Sequence, residues 1–158
     1  MEGKYSVYDV SSYVIKYSNE KLNGISNLKL QKILYFIQAF FLVYREPKQP
    51  AFNEKIEAWD FGPVVPVIYH KYKAFGGGDI PTEQYAEYNI EEQDKKHIEY
   101  VLNGFANYSA TDLVQLTQNQ APWKNIYNRY DLCSSNEITK KSIYEYFNTK
   151  RERNNTIN

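Results

Sequence analysis

The stretch Leu28–Tyr44, LKLQKILYFIQAFFLVY, decides how this chain folds. Leu30, Ile33, Leu34, Ile37, Phe41 and Tyr44 recur at spacings of three and four, the period of an α-helix. From Ile33 to Tyr44 every residue is apolar or aromatic except Gln38. A helix that is apolar on nearly all sides offers water no face, so it belongs at the centre of a fold with other elements around it. Bounded by Lys32 and Arg45, this run of twelve residues is well short of the roughly 20 that a bilayer span needs. Gln31, Gln38 and Arg45 are seven apart and share one face, with Tyr35 between the first two. That stripe is either the solvent edge of a buried helix or a polar seam that meets a partner.

Working outward, the flanking segments read as further helices. Val7, Val10, Val14 and Tyr17 hold one face of a helix over about 7–18, with Ser6 as a plausible cap. Asn23-Gly24 breaks the pattern, and Ser26 or Asn27 restarts it. After Arg45 the register is lost at Pro47 and Pro50, and Phe52, Ile56, Ala58 and Trp59 allow one or two short strands. Pro66 opens a helix to about Phe75, with Ile68, Tyr69, Tyr72 and Phe75 inward and Gly76 as its stop. Glu91, Glu92 and Asp94 start another, with Ile98, Val101, Leu102 and Phe105 inside. Ser109 with Asp112 begins a short helix bearing Leu113, Val114 and Thr117. Pro122 begins the next, with Trp123, Ile126, Tyr127 and Tyr130 on one face. A last helix from about Thr139 buries Ile143, Tyr146 and Phe147, and its charged end from Lys150 is expected to fray. The expected fold is mainly α: a compact bundle of six to seven helices around a central apolar helix (28–45), with a small β element near 51–60. The 158 residues read as a single domain with its core at 7–148 and a frayed tail at 150–158.

Composition excludes several roles. Nineteen basic and nineteen acidic residues cancel, so no global field draws the chain to nucleic acid or membrane. A single cysteine, Cys133, rules out an internal disulfide and fits a reducing cytoplasm. MEGKYSVYDV has no apolar signal-peptide core. Sixteen tyrosines suit half-buried positions and binding surfaces alike.

No constellation of catalytic residues emerges. His70 and His97 lie on separate helices without ligands at metal spacing, so neither a metal nor a cofactor is expected. Cys133 lacks the context of a nucleophile. Glu57 and Asp60 flank Trp59 as a carboxylate pair would, but two acids in a turn that leads into a helix explain them as well. Gly76-Gly77-Gly78 lacks the strand, lysine and serine of a phosphate loop. The segment LVQLTQNQAPWKNIYNRY holds only two basic residues, too few for a nucleic-acid reader.

Four patches in order carry a resemblance. These are LKLQKILYFIQAFFLVY, IEAWDFGPVVPVIYHKYK, ATDLVQLTQNQAPW and a closing helix. The first holds an L-x-L-Q-K-x-L-Y pattern at Leu28, Leu30, Gln31, Lys32, Leu34 and Tyr35. The second holds A-W-x-x-G-P-V-x-P-x-x-Y at Ala58, Trp59, Gly62, Pro63, Val64, Pro66 and Tyr69. Together, over about residues 7–148, they resemble the Panacea domain, the SocA-like antitoxin domain also met in phage and mobile-element proteins. The third patch departs from the family pattern L-[ST]-H-x-x-x-P-W. Leu116, Thr117, Pro122 and Trp123 keep it, but Gln118 stands where the histidine is expected. Glutamine can donate and accept a hydrogen bond but cannot become charged.

The resemblance implies a non-enzymatic protein that neutralises a partner toxin, encoded nearby, by direct binding. The alternative it implies is a phage or mobile-element interaction protein, either an inhibitor of a host defence enzyme or a protease adaptor. With the first domain helix beginning near residue 7, no operator binding is expected. Gly62, Pro63 and Pro66 are expected to shape the turn before the helix. In the third patch, with Pro122 as a structural residue, Gln118 is expected to make a buried or half-buried hydrogen bond while Trp123 packs against the core; the alternative is that Gln118 and Trp123 both face solvent as contact residues. The partner surface is expected on one face built from the central helix and the AWDFGPV turn: Gln31, Tyr35, Gln38, Trp59, Asp60, Phe61, Tyr72 and Lys73. Tyr35 and Trp59 would be its aromatic anchors. The rival places both in the core and the partner at the acidic Glu83–Asp94 segment.

Overall fold

The computed structural model describes residues 1–84, 87–128 and 135–157. Its described part is mainly helical: α1 (Val7–Lys21), α2 (Asn27–Val43), α3 (Pro66–Tyr72), α4 (Glu92–Gly104), α5 (Ala110–Gln118), α6 (Ala121–Lys124) and α7 (Lys140–Ile157). Three short strands, β1 (Ile56–Trp59), β2 (Gly62–Val64) and β3 (Glu137–Ile138), form an antiparallel sheet in the order β2-β1-β3. None of the described helices is long and apolar enough to cross a membrane.

Local chemistry sets the helix ends. Ser6 accepts from Tyr8 N at the start of α1, and Ser26 accepts from Lys29 N at the start of α2. Ser109 and Asp112 form a reciprocal capping box on α5. Between α1 and α2 the chain turns through Asn23 and Gly24, both at positive φ.

α2 packs against α1, α3, α4, α5, α7 and β2. Leu30, Ile33, Leu34, Ile37 and Phe41 are fully buried in one cluster with Val10, Val14, Ile68, Ile98 and Leu113. Each such side chain contributes about 1.5–3 kcal/mol by leaving water.

Several details differ from expectation. The helix from Pro66 ends at Tyr72, and a 3-10 turn, Lys73–Phe75, follows it. Tightening the last turn swings Phe75 out to solvent instead of inward. The helix at Pro122 is a single turn, and its expected member Tyr130 lies outside the described residues, as does Cys133. The segment expected to fray from Lys150 continues as helix, with Arg151 donating to Val43 O and Asn148 Oδ1. β3 had no counterpart in the sequence reading, since two residues show no period.

Candidate functional site

Gln31, Tyr35 and Gln38 do not face outward; each is 0–1% exposed. The expectation of an outward stripe on α2 is corrected by what packs over it. Irregular backbone lies against this face, and its buried donors and acceptors must be satisfied by something other than a sheet partner. Gln31 Oε1 accepts from Val65 N at 2.9 Å, while its Nε2 donates to Asn27 Oδ1 at 2.8 Å. Tyr35 Oη donates to Gln120 Oε1 at 2.8 Å, and burial pushes its phenol well above the usual tyrosine range. Gln38 accepts from Ala51 N at 2.7 Å and donates to Phe52 O at 2.9 Å. Tyr72 is buried too, with its hydroxyl 3.3 Å from Glu83 Oε1, whereas Lys73 is exposed.

Lys32 belongs to this set and was passed over in sequence. Its side chain is wholly buried against the start of β2 at Gly62 and Pro63, and Nζ donates to Pro63 O at 2.9 Å. Desolvation lowers its pKa to about 7. The signal was a lone lysine between Gln31 and the apolar run, which periodicity treats only as a boundary.

The turn itself is a two-residue hairpin. Trp59 pairs with Gly62, leaving Asp60 and Phe61 at the tip. Gly62 has φ 105°, and a Cβ there would stand 2.8 Å from Thr117 Oγ1 and 3.1 Å from Lys32 Cε. Residues of α5, α6 and the segment after them stitch the tip from outside. Gln118 Nε2 donates to Asp60 O at 2.9 Å, Trp123 Nε1 donates to Trp59 O at 2.9 Å, and the Tyr127 hydroxyl donates to Asp60 Oδ1. Gln118 thus does a neutral donor's work, and no proton change is needed for it. Trp123 is 9% exposed and belongs to the core cluster, and Pro122 is buried beside it.

The structure therefore divides the eight candidate contact residues. Gln31, Tyr35, Gln38 and Tyr72 hold the fold from inside, while Trp59 is half-buried and Asp60, Phe61 and Lys73 are exposed. Phe61 stands 65% exposed at the hairpin tip. Beside it opens a groove of about 610 Å³ walled by Trp59, Asp60, Phe61, Tyr69 and Tyr127, with Leu28 and Val64 among its apolar lining. Gly62, Pro63 and Pro66 shape the backbone next to it, Pro66 at the first turn of α3.

Elsewhere the candidates are occupied or dispersed. Glu83 pairs with Lys71, Glu91 with Lys4 and Glu92 with Lys95, and Asp94 is buried. Glu83, Glu87, Glu91 and Glu92 are exposed all the same. His70 lies near Trp59, and His97 packs on Phe40 and Phe41. Among the described residues no group of histidine, cysteine, aspartate and glutamate could hold a metal ion. Glu57 accepts from the Trp59 indole and Asp60 from Tyr127, so each acid has its own neutral donor.

A second recess, of about 520 Å³, was not anticipated. It lies between α2, α4, α5 and α7, with rings of Phe36, Phe40, Tyr44, Tyr100, Phe105 and Phe147 around it. Tyr100 is 70% exposed there.

Comparison with known proteins points to one family. A model described as "Antitoxin SocA-like, Panacea domain" matches residues 30–124, which include Gln31, Lys32, the hairpin and Trp123. Antitoxin SocA of Caulobacter vibrioides (strain NA1000 / CB15N) is 52% identical over 52 residues, 33% of this chain and 27% of that protein. The match thus spans about a quarter of the curated relative's length. No solved structure gives a significant match. With the model covering well over half of its residues, this chain belongs to the SocA-like antitoxin, Panacea-domain family.

Proposed function

We propose that this chain is an antitoxin that binds a partner toxin directly and neutralises it by occupying it, without catalysing a reaction. Family membership supports an antitoxin, and the observation that carries direct binding is the hairpin tip. Phe61 and Asp60 are presented to solvent on a turn clamped from α2 on one side and from α5, α6 and Tyr127 on the other. A contact surface held this firmly loses little freedom on binding, which favours affinity. α2 is the organising centre of this arrangement, because its buried polar side chains hold the irregular segments that carry the tip. The partner is a protein, encoded nearby, met in the cytoplasm.

Co-expression with the product of each adjacent gene tests this. One such product should arrest growth alone, be tolerated with this chain, and co-elute with it. The variant Asp60→Ala/Phe61→Ala should keep its fold, lose the complex and restore arrest. Neutralisation without a complex, or chemical alteration of the toxin by catalytic amounts of this chain, would refute direct occupancy.

A further inference from the structure

The groove beside the hairpin has a more specific chemistry than protein contact alone demands. Among the described residues that line it, Asp60 is the one charged group, and none is a lysine or arginine. Its walls are rings: Trp59 meets Tyr69 edge-on with centroids 5.1 Å apart, and Tyr127 lies stacked on Trp123 at 4.4 Å. His70 lies 6.0 Å from the same Trp59 ring. Next to Trp59, Glu57 Oε1 takes the indole N–H at 2.9 Å and adds a second negative charge. Both acids are held by neutral donors, and among the described residues neither has a basic partner within 4.0 Å.

A recess with aromatic walls, the Asp60 carboxylate in its lining without a basic partner among the described residues, and Glu57 beside Trp59 attracts a cation. Ring faces draw it through their quadrupoles, and the carboxylates through charge, at a site partly shielded from water. The planar guanidinium of arginine suits both features, since it stacks on rings and meets a carboxylate with paired donors. The carboxylate is also fixed beforehand. Gln118 holds the Asp60 backbone, and Tyr127 holds its side chain. The recess between α2, α4, α5 and α7 lacks this character, because Lys150 lines it and, among the described residues, no carboxylate does.

We propose that the hairpin groove is a socket for an arginine side chain projecting from the partner protein. The partner's existence rests on the antitoxin reading; the chemistry of the socket does not.

The test follows the indole resonances of the full chain by NMR during titration with Ac-Gly-Arg-Gly-NH2, Ac-Gly-Leu-Gly-NH2 and Ac-Gly-Glu-Gly-NH2. The arginine peptide alone should shift the Trp59 indole saturably. Asp60→Asn should weaken this by about tenfold, the scale of one lost charge contact. Tyr100→Ala, on the other recess, should leave it unchanged. Equal shifts with the leucine peptide, or full arginine binding by Asp60→Asn, would overturn the socket. If no neighbouring toxin binds but the arginine peptide still titrates, the antitoxin reading falls and the socket stands. If a toxin binds Asp60→Asn as tightly as the parent chain, the socket falls and the antitoxin reading stands.

Discussion

Two buried cations mark the two ends of α2, and they are kept in opposite ways. Lys32 lies under the hairpin with a carbonyl as its hydrogen-bond acceptor and no carboxylate partner among the described residues. Arg45, just beyond the other end, meets Asp94 through Nε at 2.8 Å, and Tyr5 and Lys4 reach the same carboxylate. Their proton affinities diverge accordingly. Desolvation lowers Lys32 to about 7, whereas the hydrogen bond to Asp94 raises Arg45 against the cost of burial. Burial alone would raise Asp94, but hydrogen bonds from Arg45, Tyr5 and Lys4 outweigh it and hold the carboxyl below its ordinary value of 3.8. The lesson is that a buried charge with a counter-charge locks a fold, whereas one with only a dipole makes its surroundings sensitive to pH.

The sharpest way to break this contrast is Asp94→Ala. It strands a buried guanidinium and should cost about 3–5 kcal/mol, read as a lower denaturant midpoint. A loss below 1 kcal/mol would show that the Arg45 end is no lock. At the hairpin end, Gly62→Val sets a branched side chain at positive φ against Thr117 and Lys32. We expect a loss of about 2–4 kcal/mol from strain and crowding together, and an unchanged melting temperature would refute it.

Lys32→Met sharpens the pH side. With its folded pKa near 7 and the unfolded value near 10.5, the unfolded chain binds the extra proton between them. Stability of the parent chain therefore rises with pH over that window, by up to about 2 kcal/mol from pH 7 to 9. The methionine variant should lack this rise, and parallel curves for the two proteins would remove Lys32 as its source. Asp94 acts in the same direction, stability rising with pH, but in a far more acidic window. Its contribution is whole above pH 3.8 and fades as acid takes the pH below that value. The smallest effect belongs to Phe61→Ala, which removes an exposed ring from the tip and should stay within about 0.5 kcal/mol in thermal melts. A larger loss would mean that the tip supports the fold as well as presenting a surface.

What could be read in sequence was what local chemistry decides. Ser6, Ser26 and the Ser109–Asp112 pair cap helices, Asn23-Gly24 turns the chain, and Pro66 starts α3, all from neighbours a few residues away. Periodicity also placed Gln31, Tyr35 and Gln38 on one side of α2. It could not say what lay over that side, because the answer is backbone from residues 51, 52 and 65 and a side chain at 120. Lys32 was hidden for the same reason: a lysine beside an apolar run looks like its edge until the turn that covers it is known. The α2–α4 recess, with rings from α2, α4, α7 and the residues just past α2 and α4, has no trace in any single window.

The clamp on the hairpin has a consequence for synthesis. Trp59 meets its indole donor Trp123 across 64 residues, and Asp60 meets Tyr127 across 67. Ribosomes add about 5–20 residues per second, so the tip waits roughly 3–13 s between emerging and being fastened. During that interval the nascent chain carries the tip's residues but not its shape. A nascent chain stalled before Trp123 emerges should therefore be cut by protease at the turn, and one stalled after Tyr127 should resist. A gene for such a protein is productive only once most of it has been translated, and a truncated transcript yields fragments with no finished tip.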